Sequence, residues 1–204
     1  MQIFSTIIFV LSVNTDNFVV GLSYGIKKIK IKILSNLLIG LISSIGTILS
    51  MKIGKIITQF VPANLTNLSG STILILIGIW SILEEFHKKK NIPINREKNS
   101  LSKLENILSN PENADKDTSG SIDIKESIYL AIALTLNNVG LGIGASIAGL
   151  NILFTTVLNL FISIAAITFG YTVGSKYLSN KLGKYAAVIS GFIIILLGIY
   201  EMIN

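Results

Sequence analysis

The chain has 204 residues, of which 50% are hydrophobic and 14% charged, and its mean hydropathy is +0.68. Soluble domains carry roughly a quarter charged residues, so this composition excludes an ordinary soluble domain and predicts a surface that meets lipid. The net charge of +6 does not indicate a nucleic-acid partner, because the lysines lie between long apolar segments. With no cysteine and one histidine, His87, any bound metal is expected to have oxygen ligands, as Mg²⁺, Ca²⁺ and Mn²⁺ prefer.

Six apolar segments are long enough to cross a bilayer, which takes about 20 residues of helix. They run approximately from Ile3 to Tyr24, Ile33 to Ile53, Ser69 to Phe86, Ile128 to Ala148, Ile152 to Val173 and Tyr185 to Ile203. The first segment follows no charged residue and is too long for a secretory signal, so we expect it to remain as a membrane helix. The sequence therefore predicts an all-α, polytopic membrane protein of six transmembrane helices.

The segment between the third and fourth helices is rich in charge and contains two prolines. It predicts a solvent-exposed linker, residues 87–125, with one short helix around Leu101 to Leu108. Lysine and arginine are concentrated in the first loop, this linker and the fifth loop, which share one side of a six-helix plan. Because cytoplasmic loops carry the positive excess, we predict a cytoplasmic linker with both termini outside. A two-sided or inverted topology is the alternative.

The first and fourth helices carry a related sequence. Residues 15–22, TDNFVVGL, correspond to residues 136–143, LNNVGLGI, and Gly54 and the Gly78-Ile79-Trp80 segment recur 120 residues later as Gly174 and Gly198-Ile199-Tyr200. Each half has three crossings, so the second half enters the membrane from the opposite face. This predicts two inverted three-helix repeats, residues 1–86 and 126–204, around the linker. A chance match between apolar helices is the alternative.

Polar pairs lie near the middle of both related helices, and we predict a transport site formed by Asp16, Asn17, Asn137 and Asn138. An ionisable side chain at the bilayer centre costs at least about 2.5 kcal/mol, so Asp16 is not expected to face lipid. The alternative is that Asp16 is protonated, or bonds its neighbours and locks helices together. Small residues that follow each pair, among them Gly21, Gly25, Gly142 and Gly144, predict close helix packing.

The Asp-Asn-Phe and Asn-Asn-Val segments, the six-helix plan and the charged middle loop resemble the YtaF-type sporulation membrane proteins of spore-forming bacteria, which are relatives of the MntP manganese exporters. The resemblance covers essentially the whole chain. It implies Mn²⁺ transport by aspartates at matching positions in both halves, of which the first is Asp16. Asn137 stands at the second position, and a single carboxylate leaves a dication partly uncompensated in a low-dielectric site. Such a site suits a monovalent cation, a dication that keeps its water, or no ion.

Residues 115–126 follow the pattern of a twelve-residue EF-hand calcium loop. Gly120 occupies the sharp turn at position 6, and the predicted ligands are Asp115, Asp117, Ser119, Ser121 through its carbonyl, Asp123 and Glu126. We predict that the loop binds Ca²⁺, or else Mg²⁺ or Mn²⁺. The alternative is that Asp123 and Glu126 form only a capping box for the fourth helix, and Pro111 interrupts any helix entering the loop.

Together these features predict a sporulation-type membrane transporter that moves a Mn²⁺-like cation and senses a divalent cation through its cytoplasmic loop. Its surroundings are the lipid bilayer, and a metal ion is its expected substrate. The competing class is a non-transporting structural or signalling protein of the forespore or cell membrane. An enzyme is the least favoured class, because no nucleophile, base or histidine cluster gathers near one membrane face.

Overall fold

The computed structural model describes residues 2–60 and 110–177, together with isolated positions between 72 and 83, between 104 and 108, and at 195 and 199. Its helices are α1 (Gln2–Val13), α2 (Thr15–Lys27), α3 (Ile33–Thr58), α4 (Ile124–Asn137), α5 (Val139–Ile147) and α6 (Ile152–Tyr177). A 3₁₀ helix covers Pro111–Ala114, and two short strands are β1 (Lys30–Ile31) and β2 (Ser121–Ile122). The predicted third and sixth membrane helices lie largely outside the described residues.

Four of the predicted spans fall on described helices. Ile3–Lys27, Ile33–Thr58 and Ile152–Lys176 are each long and apolar enough to cross a membrane. The fourth span consists of α4 and α5, which meet at an angle of 44°. The described chain is therefore mostly helical and carries three or four membrane spans, as expected at these places. The structure extends the second span beyond Ile53 and starts the fourth before Ile128.

Two spans are interrupted at an asparagine. Asn14, between α1 and α2, has φ −87° and ψ 6°, while Asn138, between α4 and α5, has φ −97° and ψ 0°. Asparagine side chains compete with the helix for backbone partners, and Asn14 Nδ2 donates to the carbonyl of Val10 at 2.8 Å. The distortion at Asn14 leaves the span continuous, whereas the one at Asn138 bends it. Neither interruption was predicted from the sequence.

Helices α2 and α6 cross through glycines spaced four residues apart on each helix. A Cβ atom at Gly170 would lie 2.9 Å from the amide nitrogen of Leu22, and one at Gly25 would lie 3.0 Å from the carbonyl carbon of Gly174. A Cβ at Gly21 would likewise meet the backbone of α6. Since no side chain fits at these distances, the two backbones pack directly, as small residues allow in membrane helices. The close helix packing that was predicted for the small residues following Asp16 is thus present.

Helix α3 packs in a similar way against both pieces of the broken span. A Cβ atom at Gly54 would lie 2.8 Å from Ser146 Cβ on α5, and one at Gly142 would lie 2.9 Å from Ser50 Cβ. Against α4, a Cβ at Gly46 would lie 3.3 Å from Thr135 Cβ. These glycines hold α4 and α5 against a single straight helix despite the bend between them.

The end of the linker is part of the folded core. Ile107, Ala114 and Ile122 are at most 4% exposed and belong to one apolar cluster with Tyr24 and Leu130. The prediction of a solvent-exposed linker is wrong for these three residues. These residues are buried because the chain returns to the membrane helices before α4 begins, where β2 pairs with β1 as a short parallel pair.

The glycine crossing between α2 and α6 gives a first test. We expect Gly170→Ala to lower the free energy of unfolding by about 1–3 kcal/mol, because a Cβ forces two packed backbones apart. Thr172→Val, on the exposed side of the same helix, is the matched control and should change it by less than about 0.5 kcal/mol. Thermal unfolding in detergent measures both, and equal melting temperatures for the two variants would contradict the crossing.

Candidate transport site and metal loop

Asp16 and Asn137 meet across the two halves of the chain. Asp16 lies in the first turn of α2, and Asn137 is the last residue of α4 before the bend. The Nδ2 atom of Asn137 donates a hydrogen bond to Oδ2 of Asp16 at 2.6 Å. We expected these positions to approach each other from the sequence repeat, and the contact is present. It places a carboxylate and a primary amide together at a helix interruption within the span.

The other two predicted site residues have different partners. Asn17 Nδ2 donates to Oδ1 of Asn14 at 2.6 Å and to the hydroxyl of Ser163 at 2.9 Å. Asn138 Nδ2 donates to the carbonyl of Val13 at 3.3 Å. Of the four residues, Asp16 and Asn137 are therefore brought together, while Asn17 and Asn138 hold the neighbouring helices on either side of them.

A buried amide on α6, which was not predicted from the sequence, links three helices. Asn159 is 1% exposed, and its Oδ1 accepts a hydrogen bond from Asn14 Nδ2 at 2.7 Å. Its own Nδ2 donates to the hydroxyls of Ser43 at 3.2 Å and Thr47 at 3.1 Å. An asparagine inside the apolar fifth segment was the available signal. Its importance comes from partners on α1 and α3, which sequence spacing does not show.

The loop of residues 115–126 brings three of its predicted ligands together. One carboxylate oxygen from each of Asp115, Asp117 and Glu126 lies within 4.8 Å of the others. Gly120 has φ +73°, the left-handed conformation that the turn at position 6 requires. The two oxygens of Asp115 accept the backbone N–H groups of Ser119 and Gly120, each at 3.0 Å. The local geometry is that of a loop folded around convergent carboxylates.

The remaining predicted ligands are engaged in other contacts. Asp123 forms an ion pair with Lys32, and the Ser121 carbonyl accepts the Ser119 hydroxyl at 2.9 Å. Asp123 also caps α4 in a capping box with Glu126, whose Oε2 accepts the Asp123 N–H at 3.0 Å. Glu126 Oε1 accepts the N–H of Lys116 at 2.7 Å. The capping box is thus present together with the carboxylate cluster rather than instead of it.

The charges of the loop are stabilised by their partners. Hydrogen bonds from Ser119 lower the pKa of Asp117, so its contribution to stability is present above the ordinary carboxyl pKa of about 4 and is lost as the pH falls through the lowered value. The hydrogen bond to Asp123 raises the pKa of Lys32. Its contribution is present below the ordinary lysine value of about 10.4 and is lost as the pH rises through the raised one. Both groups therefore stay charged around neutral pH.

The loop is fastened to the first half of the chain. Residues Lys30 and Ile31 pair with Ser121 and Ile122, and the Ser35 hydroxyl donates to the Ile122 carbonyl at 2.9 Å. Just before the loop, the Tyr24 hydroxyl donates to the carbonyl of Pro111 at 2.9 Å, and Lys27 pairs with Glu112 at 3.7 Å. The loop thus joins the ends of α2, α3 and α4.

Comparison with known proteins identifies the family of the chain. The chain matches the family model Mntp, described as "Putative manganese efflux pump", over residues 1–83 and 104–202. The chain belongs to the MntP family. It is also 31% identical over 210 residues to "Probable sporulation protein YtaF" of Bacillus subtilis (strain 168), which covers 99% of this chain and 100% of that protein. No solved structure matches. The resemblance drawn from the polar pairs is confirmed, and this MntP-family chain is a multi-pass membrane protein.

The capping function of Glu126 can be tested without metal. We expect Glu126→Gln to lower the free energy of unfolding by about 1–2 kcal/mol, because one amide oxygen cannot accept both backbone N–H groups and the new NH₂ faces the other donor. Glu112→Gln removes a partly exposed ion pair and should cost less than about 0.5 kcal/mol. Thermal unfolding in a chelating buffer compares them, and no difference would mean that the two bonds to Glu126 are not formed.

Proposed function

We propose that this MntP-family protein exports a Mn²⁺-like divalent cation across the bacterial cell membrane and binds Ca²⁺ or a similar ion at its cytoplasmic loop. The observation that carries the transport proposal is the 2.6 Å hydrogen bond between Asp16 and Asn137. It joins a carboxylate and an amide from the two halves at the bend of a broken span, and broken helices form ion sites in many secondary transporters. The cation is the substrate in this proposal.

The packing supports two inverted three-helix repeats. Asp16 and Asn137 occupy corresponding positions of the two halves, 121 residues apart, and they contact each other. A contact between two corresponding residues is expected on the axis of a two-fold relation between the halves. Gly25 corresponds to Ser146 at the same offset of 121 residues, and Gly54 corresponds to Gly174 at an offset of 120 residues. Gly25 packs against Gly174, and Ser146 packs against Gly54. Each helix pair therefore repeats the contacts of the other, as a two-fold relation between halves requires.

A single carboxylate determines how a dication binds at this site. Asp16 supplies one negative charge, and Asn137 adds a neutral amide oxygen once its side chain turns. Because one charge does not neutralise a dication in a low-dielectric site, the cation keeps part of its water shell. Oxygen ligands and retained water suit Mn²⁺ and Mg²⁺ better than softer metals. We therefore expect weaker binding here than at a site with two aspartates.

The loop proposal is supported by its convergent carboxylates and by the conformation of Gly120. Bound Ca²⁺ would take one oxygen each from Asp115 and Asp117, and two from Glu126, in the manner of an EF-hand. The excess of lysine in the first and fifth loops supports a cytoplasmic position for this loop, and extracellular termini.

A second candidate function has its own supporting observation. The amide of Asn137 already satisfies an oxygen of Asp16, which is the contact expected of a lock between helices. In a non-transporting structural or signalling protein of the spore-former membrane, this bond and the docked loop would hold the two halves together. Removal of the Asp16 carboxylate would reduce cation flux in a transporter, whereas it would lower the stability of a structural protein.

Flux measurements test the transport site. In proteoliposomes the wild-type protein should move Mn²⁺, and Asp16→Asn should reduce the rate at least about tenfold because the cation loses its counter-charge. Asn137→Asp should lower the half-saturating Mn²⁺ concentration, since it restores a second carboxylate. Glu112→Gln, a carboxylate-to-amide change outside the membrane spans, is the control and should leave the rate unchanged.

Two results would reject the transport site. One is unchanged flux in Asp16→Asn. The other is absence of flux in the wild type together with a lowered melting temperature in Asp16→Asn, which would support the structural lock.

Calorimetric titration of the purified protein tests the loop. We expect one Ca²⁺ to bind with a Kd between about 10⁻⁶ and 10⁻³ M, within the range of EF-hand sites with few charged ligands. Asp115→Ala should abolish the heat, because it removes a position-1 ligand, whereas Glu112→Gln should not. Equal heats for both variants would place the bound ion elsewhere.

A further inference from the structure

A small cavity with apolar and polar lining lies beside the broken span, where α3 faces α1, α4, α5 and α6. Its volume is about 10 Å³, enough for one water molecule or one ion. Its polar lining consists of Ser43, Thr47, Ser50, Thr135, Asn138 and Asn159. Among the residues that the structure describes, this lining contains no charged side chain.

Several hydrogen-bond donors around the cavity are used by the protein itself. The hydroxyl of Thr47 donates to the Ser43 carbonyl at 2.9 Å, and that of Ser50 donates to the Thr47 carbonyl at 3.1 Å. Both N–H bonds of Asn159 are directed at the hydroxyl oxygens of Ser43 and Thr47. What these groups can still offer is oxygen lone pairs. The cavity therefore offers oxygen ligands to a cation.

Thr135 contributes an oxygen with no partner of its own. Its Oγ1 atom is buried and forms no hydrogen bond within the described parts of the chain. A buried hydroxyl without a partner is uncommon in folded proteins. Gly46 lets this side chain approach α3, since a Cβ there would lie 3.3 Å from Thr135 Cβ. The hydroxyl is thus held at the cavity by close packing.

The corresponding place in the other half of the chain has a different lining. The repeat pairs Asn138 with Asn17 and Ser43 with Ser163, and there Asn17 donates directly to the Ser163 hydroxyl at 2.9 Å. It also pairs the cavity residues Thr47 and Ser50 with Ile167 and Gly170, neither of which has a hydroxyl. The hydroxyl groups of Thr47 and Ser50 are therefore not repeated in the other half.

We propose that this cavity binds one monovalent cation of the sodium class. Hydroxyl and amide oxygens are the ligands of hard cations. The cost of removing an ion from water grows with the square of its charge, so a lining of neutral groups favours a singly charged ion over a dication. The cavity also adjoins the bend next to Asn137, where a coupling ion would sense the transport site. The coupling role rests on the proposed transport function, whereas the binding site does not.

Thermal stability of the full-length protein in detergent tests the site. We expect the melting temperature to rise and saturate as NaCl replaces choline chloride at constant ionic strength, because an ion that binds only the folded state stabilises it. Thr135→Val and Ser50→Ala should each lose this dependence, by at least about tenfold in the half-saturating concentration. Thr156→Val, which removes another buried hydroxyl without a hydrogen-bond partner, is the matched control and should keep it.

Equal melting temperatures in NaCl and choline chloride would overturn the proposal, as would an unchanged sodium dependence in both Thr135→Val and Ser50→Ala. Ser50→Ala keeps the test decisive if Thr135→Val does not fold. Sodium stabilisation that depends on the cavity residues, without Mn²⁺ flux in proteoliposomes, would support the cavity while rejecting the transport function. Flux without any sodium stabilisation would reject the cavity alone.

Discussion

A carboxylate inside an apolar span needs a polar partner, and much of the described structure is consistent with this requirement for Asp16. Its partner, Asn137, comes from the other half of the chain and stands at the last turn of α4. The helix ends there, and the side-chain amide of the next residue, Asn138, donates to the carbonyl of Val13. The bend, the pair of amides and the carboxylate are therefore one local arrangement, in which α4 is held against the first span.

Glycines make this arrangement geometrically feasible. Side chains at Gly46 or Gly142 would push α3 away from the two pieces of the broken span, and side chains at Gly25 or Gly170 would do the same between α2 and α6. Lipid provides little hydrophobic drive for helix association, so close backbone packing and buried amide bonds have to supply it. Asn159 is the clearest case, since it connects α1, α3 and α6 through hydrogen bonds. Packing and polar contacts thus support the same helix arrangement.

Sequence patterns predicted the features of the structure that depend on local composition and on the internal repeat. Apolar length located four spans that the structure describes, the offset between halves predicted the contact of Asp16 with Asn137, and ligand spacing predicted the convergence of Asp115 and Glu126. They did not predict the features that depend on distant partners. The amide of Asn138 at the bend finds its acceptor on another span, and Ile122 is docked by pairing with the strand Lys30–Ile31.

The position of the loop makes it suited to influence the transport site in the proposed function. Glu126 and Asn137 lie on the same helix, eleven residues or about 16 Å apart. Asp123 is shared between the loop and Lys32 of the first half. A metal that recruits Asp123 as a ligand has to weaken this ion pair, while the strand pair and Ser35 still hold the loop in place. A metal bound at the loop would therefore act on the same helix that carries Asn137 at its other end.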